Sequence, residues 1–172
     1  GYFMGPTSGL ENPRETIVPL LPHADSLMLS RGILQNSIPK RTNIPIVLRV
    51  SSGNSILNED MSNEKLCVSI EDAIRLNASA VAFSIYIGGA YEHQTIVEFS
   101  KLVNDAHRYG LPVLAVTAVG KDMNRDLRYL SLASRIAVEL GADIVKTYYC
   151  DGFNELIAAC PVPVVIAGGK KV

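Results

Sequence analysis

Lys146 is the residue whose type and setting point to the most distinctive chemistry. It sits in Ala-Asp-Ile-Val-Lys-Thr-Tyr-Tyr, residues 142–149, inside an otherwise apolar run. Lysine is rarely fully buried without a reason. An amine held in a half-apolar pocket near other cations has a lowered pKa. It is then neutral and nucleophilic, and forms a Schiff base with a carbonyl substrate. The same placement also suits a lysine whose stem snorkels past a strand end or pairs with an acid. Tyr148, in the same run, is a candidate to orient the substrate.

Gly168 and Gly169 carry the second signal, followed by Lys170 and Lys171. Glycines let backbone N–H groups approach a phosphate closely, and Lys170 adds positive charge. An ordinary glycine turn with solvated lysines is the alternative. Arg49, in Ile-Pro-Ile-Val-Leu-Arg-Val-Ser (residues 44–51), would pair with a substrate phosphate or with an internal carboxylate. His93 opens a helical segment, where capping or surface roles are expected. His23 and His107 read as helix-end or surface residues. Cys150 follows an apolar strand, but no neighbouring His supports a nucleophilic role. No HExxH, GxSxG or phosphate-loop pattern occurs.

These residues need elements to position them. Short, near-continuously apolar runs lie at Ala24–Ser30, Ile44–Ser51, Ala80–Ile87, Leu111–Val119, Ala142–Tyr149 and Val162–Gly169. That is the pattern of parallel strands covered on both faces. Helical periodicity fills the gaps. Glu92–Tyr109 puts Ile96, Phe99, Val103 and Ala106 on one face, with Gly110 as a stop. Asp126–Leu140 does the same with Leu127, Leu130, Ala133 and Ala137, and Gly141 ends it. Ser69 caps a helix with acids in its first turn. Weaker helices are expected at Glu11–Leu21 and Gly152–Ala159, and Ser52–Leu66 is an Asn-rich loop.

The result is a βα repeat, which fits an open doubly wound sheet or a (β/α)8 barrel. The first βα turn lacks the GxGxxG of a dinucleotide-binding sheet. Six strands fit barrel strands 2 to 7 better. In both architectures function gathers at the C-terminal strand ends, which is why Arg49, Lys146, Tyr148 and the Gly-Gly turn stand out.

The chain has 172 residues, with 16 Lys plus Arg against 17 Asp plus Glu. Such a balance argues against a basic nucleic-acid-binding surface. Apolar runs are too short to span a bilayer, and no leader is visible at Gly1, so a cytoplasmic location is expected. Three cysteines without CxxC spacing make a disulfide framework or zinc site improbable, and no metal is assigned. A closed barrel typically needs about 250 residues. The expectation is a single truncated TIM-barrel domain over 1–172, cut from a longer chain, whose two bare edges would aggregate in isolation.

The chain resembles the DhnA/DeoC-related class I aldolases, and within them the autoinducer-2-processing thiolases. The segments that carry the resemblance are Gly1–Pro6, Arg31–Leu34, Asn54–Leu57, Tyr91–Gln94, Val119–Met123, Lys146–Tyr149 and Ala167–Lys171. The resemblance implies a TIM barrel with a strand-6 Schiff-base lysine at Lys146 and phosphate binding at Gly168 and Gly169. It implies acetyl transfer from 3-hydroxy-2,4-pentanedione 5-phosphate to coenzyme A, with no bound cofactor. It also implies assembly into homo-oligomers such as decameric rings. Two departures bear on related activities. Members acting on fructose 1,6-bisphosphate use a strand-5 Tyr, and Leu111–Val119 has none. Deoxyribose-phosphate aldolases carry a second Lys in strand 7, and Val164–Ile166 has none. The alternatives are an aldolase acting on another sugar phosphate and a non-catalytic phosphate-ligand-binding barrel.

Overall fold

The computed structural model describes residues 9–119 and 124–168. Six parallel strands form the sheet: β1 (Leu27–Ser30), β2 (Ile46–Arg49), β5 (Ala80–Ile87), β6 (Val113–Val119), β7 (Ile144–Tyr148) and β8 (Val164–Ala167). They lie side by side in the order β1-β2-β5-β6-β7-β8. A doubly wound sheet would reverse its strand order at a switch point. Here each strand sits beside the one before it, so the crossover helices all cover one face. The architecture is α/β, a six-stranded half-barrel with β1 and β8 as its edges among the described residues.

Two-residue alternation divides the strands. One set of side chains, including Leu48, Val81, Phe83, Ile85, Val113, Ala115 and Val145, feeds the core beneath the helices. That core is closed by α3 (Ile70–Arg75), α4 (Glu92–Arg108), α5 (Leu127–Glu139) and α6 (Phe153–Ala159). The other set fills a smaller cluster on the concave face, where Val47, Ala80, Ala82 and Leu114 meet Met28, Val116 and Ile144. Strand β5 is buried along all eight residues, as a central strand covered on both faces must be.

The long helices begin and end where their sequences say. The Ser69 side chain accepts from the Asp72 N–H and caps α3, while the Asp126 carboxylate accepts from the Tyr129 N–H at the start of α5. Gly141 follows α5 at φ +98, and a Cβ there would lie 2.8 Å from Val103 Cγ1, so only glycine fits.

Three expectations change. Glu11–Leu21 is a short α1 (Pro13–Ile17) that tightens into a 3-10 turn over Val18–His23, because Pro19 and Pro22 deny the α-helical hydrogen bonds. A helix α2 (Arg31–Ser37) starts directly at the end of β1, at a place where seven residues containing Gly32 show no readable period. The polar stretch Ser52–Leu66 is not wholly irregular. Its ends pair as an antiparallel hairpin of β3 (Ser51–Ser52) and β4 (Lys65–Leu66).

The helix-side core depends on Phe83 and Phe99, both fully buried, with ring centroids 6.1 Å apart at 57°. Phe83→Ala is expected to cost about 3–5 kcal/mol in urea unfolding of the full-length protein, by lost burial plus an unfilled cavity. Ser69→Ala, which removes one cap bond, is expected to cost about 1 kcal/mol. Equal losses from the two substitutions would contradict this division between core and cap.

Candidate active site

The concave face carries a polar cluster near the C-terminal ends of its strands. Its lysine comes from β7. Lys146 aligns with Val116 of β6 on one side and Val165 of β8 on the other, and Val116 aligns with Ser84 of β5. Lys146 alternates with Val145 and Thr147, which point into the helix-side layer. Its amine is partly buried. Burial and then the positive charge of Arg49 hold its pKa below the ordinary lysine value.

Arg49, at the end of β2, points onto the same face, in phase with Val47. Its Nη2 donates to Glu64 Oε1 at 2.6 Å and to Ser84 Oγ at 3.0 Å, and its Nε donates to the Ser51 carbonyl at 3.3 Å. Of the two partners open to Arg49 from the sequence, the structure supplies the internal carboxylate. Glu64 is 1% exposed. Its Oε2 accepts from Ser51 Oγ at 2.6 Å, and its Oε1 also accepts from the Tyr86 hydroxyl at 3.2 Å. Ser51 Oγ in turn accepts from the Ser84 N–H at 3.1 Å. Burial, with the Glu64 charge beside it, pushes the Tyr86 phenol well above its usual range. Tyr86 therefore stays protonated at neutral pH.

Glu64 went unseen in the sequence because it falls in a polar stretch that reads as loop. Its backbone is fixed on two sides. Gln94 Nε2, in the first turn of α4, donates to Asn63 Oδ1 at 2.9 Å and to the Glu64 carbonyl at 3.0 Å. Asn54 Nδ2 donates to the Asn63 carbonyl at 2.7 Å. Gly53 lies so close that a Cβ there would meet the Asn63 carbonyl oxygen at 2.4 Å.

Tyr148 is placed at the rim. Two residues beyond Lys146, its ring packs against the edge of the helix-side core and lies under the Arg125 guanidinium, whose Cζ is 3.9 Å from the ring centroid. Arg125 comes from the segment between β6 and α5, where no strand pattern marked it. Gly168 follows β8 directly, one position past the Tyr148–Ala167 pair, with open space where a Cβ would stand. Gly169 and Lys170 lie outside the described residues.

Other polar residues separate from the site. Thr117 and Thr147 are buried on the helix side, joined Oγ1 to Oγ1 at 2.8 Å. His93 is exposed in the first turn of α4, and His107, also exposed, is tied to Asp143 at 2.9 Å. Cys150 is buried in the helix-side core, and burial raises its thiol pKa, the reverse of what an activated nucleophile needs. Among the described residues, no three His, Cys, Asp or Glu side chains cluster to hold a metal ion, and no helix is long and apolar enough to cross a membrane.

A partly desolvated lysine on the concave face of a parallel half-barrel, beside an arginine and a protonated phenol, is the arrangement of a carbonyl-binding amine. The profile of the DeoC/LacD family aldolases matches residues 3–172. The chain is 59% identical over 172 residues to a Photorhabdus laumondii protein named 3-hydroxy-5-phosphonooxypentane-2,4-dione thiolase, covering 99% of this chain and 59% of that one. A Klebsiella pneumoniae protein of the same name is 59% identical over 99% of this chain and 58% of its own length. The chain thus spans somewhat under three fifths of the curated relatives it matches. Among solved structures, an archaeal fructose 1,6-bisphosphate aldolase superposes with a TM-score of 0.82 at 27% identity, over 96% of this chain and 70% of that one. A structure described as a Schiff-base-forming fructose-1,6-bisphosphate aldolase gives 0.83 at 27% identity over the same shares. On the match across residues 3–172 and the kinship with these enzymes, the chain belongs to the DeoC/LacD family of aldolases.

Proposed function

We propose that the protein to which this chain belongs is a Schiff-base-forming thiolase that transfers an acetyl group from 3-hydroxy-2,4-pentanedione 5-phosphate to coenzyme A in autoinducer-2 catabolism. Lys146 carries the reading, as a lysine partly buried on the concave face with its pKa lowered by burial and by Arg49. The names of the relatives at 59% identity supply the substrate.

The chemistry runs in four steps that balance. The Lys146 amine condenses with the ketone nearest the phosphate and releases water. The coenzyme A thiol adds to the acetyl carbonyl and gives up its proton. The bond between the acetyl carbon and the hydroxyl-bearing carbon then breaks, and its electron pair flows into the iminium to form an enamine. Protonation at that carbon and hydrolysis of the imine free dihydroxyacetone phosphate, with acetyl-coenzyme A as the other product. The iminium lowers the barrier by taking charge that would otherwise sit on carbon. Arg49 and Tyr148 orient the substrate, and Gly168, Gly169 and Lys170 receive its phosphate. The use of coenzyme A as co-substrate favours a cytoplasmic location for the proposed enzyme. The family's tendency to form rings makes a homo-oligomer the expected assembly.

A second reading is an aldolase acting on a sugar phosphate such as fructose 1,6-bisphosphate. The fructose-bisphosphate aldolases among the structural neighbours favour it. Against it, β6 presents Leu114, Val116 and Ala118 where those family members use a tyrosine.

The test is turnover of the phosphorylated dione by the full-length enzyme, with and without coenzyme A. Cleavage is expected only with coenzyme A, and Lys146→Met is expected to lower it at least about a thousandfold. Turnover independent of coenzyme A would instead support an aldolase. Turnover surviving Lys146→Met would remove the Schiff-base assignment altogether. The acid limb of kcat/KM is expected to rise with pH, because only the unprotonated amine attacks. Its midpoint is expected below the ordinary lysine value of 10.5.

A further inference from the structure

We propose that Glu64 is a positioning residue of this site, whose buried carboxylate holds the Arg49 guanidinium and the Tyr86 hydroxyl in place on the concave face that carries Lys146. The inference rests on the Lys146 reading above.

The geometry is that of a built ion pair. A carboxylate 1% exposed costs several kcal/mol to desolvate and is retained only where donors replace its water. Glu64 has three such donors on three separate strands, namely Arg49 of β2, Ser51 of β3 and Tyr86 of β5. It arrives there through the β3–β4 excursion, whose Leu66 also packs against the helix-side core. The chain leaves β2, pairs as the β3–β4 hairpin, and turns Glu64 inward just before β4. Gln94, Asn54 and the close approach of Gly53 pin the backbone at that turn. The excursion therefore brings one carboxylate to the arginine whose charge acts on Lys146.

Two consequences follow for the reaction. Without Glu64, Arg49 loses the carboxylate that aims it at 2.6 Å and can swing away, leaving the pocket incompletely formed. With it, the guanidinium is aimed and its field at Lys146 is moderated. Among the described residues, the charged or titratable groups that share this face with the amine include Arg49 from β2, Tyr86 from β5, Tyr148 from its own strand and Glu64 from the hairpin. Its strand neighbours in register, Val116 and Val165, are uncharged. Removing the Glu64 charge while Arg49 stays lets more of the arginine's field reach Lys146. The amine then loses its proton at lower pH.

The test is the pH profile of kcat/KM for the full-length enzyme with the phosphorylated dione and coenzyme A. Wild type is compared with Glu64→Gln, Glu64→Asp, Arg49→Met and Arg49→Met/Glu64→Gln. Glu64→Gln is expected to move the acid midpoint down by roughly half a unit or more. It is also expected to lower the plateau roughly tenfold to a hundredfold. Glu64→Asp, which keeps the charge on a shorter stem, is expected to lower the plateau with the midpoint unmoved. In the Arg49→Met background, Glu64→Gln is expected to lower the plateau by a smaller factor than in wild type, because one of the two groups it positions is already gone. If Glu64→Gln fails to fold, Glu64→Asp decides, and a plateau equal to wild type overturns the proposal. An unmoved or raised midpoint in Glu64→Gln overturns it, as does an equal loss of plateau with and without Arg49. Failure of the Lys146 reading itself shows separately, as turnover retained by Lys146→Met.

Discussion

Everything in this site depends on one constraint, the alternation of side chains along parallel strands covered on both faces. Val145 and Thr147 must serve the helix-side core, so Lys146 and Ile144 face the other way. The same rule sends Val47 and Arg49, Ala82 and Ser84 to the concave side. A shift of one residue in the register of β7 would bury Lys146 under the helices and turn Thr147 toward the site. The apolar residues on the helix side thus determine which polar residues meet on the other.

That meeting creates an electrostatic problem, because two cations share one small face. Burial and the Arg49 charge act in the same direction on Lys146, and both favour the neutral amine. Arg49 cannot be left uncompensated at that depth. A buried charge without a partner is far costlier than a buried pair with good geometry. Glu64 resolves this at 2.6 Å, while Ser51 and Tyr86 also donate to its carboxylate. The pair does not require a net gain in stability to be worth keeping. It lets an arginine persist beside a lysine whose pKa is held low.

The sheet and the long helices were legible because their signals are local and repeated. Strand β5 and helices α4 and α5 came within a residue or so of their boundaries, since an apolar run or a 3.6-residue period of that length has few other meanings. Lys146 was legible for the complementary reason, a charge inside an apolar strand. Glu64 was not. Its burial is produced by a turn that returns it from 15 residues downstream to meet Arg49, and nothing local in a polar, Asn-rich stretch distinguishes it from Glu59. Arg125 escaped for a similar reason, as its partner Tyr148 lies on the next strand. Helix α2 and the 3-10 turn over Val18–His23 escaped because each is too short to show a period. Thr117 shows the limit of that signal, since a polar residue in an apolar strand can equally be satisfied by another on the helix side, as Thr147 satisfies it.

Membership of the DeoC/LacD aldolases and the half-barrel fold stand on agreement between sequence, structure and relatives. The central claim is narrower, that the concave-face lysine of β7 is the atom that bonds to substrate. The most direct measurement is borohydride reduction of the full-length protein with the phosphorylated dione, followed by peptide mass spectrometry. The account predicts the reduced adduct on the peptide containing Lys146 and on no other lysine. An unmodified Lys146 peptide beside an adduct elsewhere, or no adduct under turnover conditions, would contradict it.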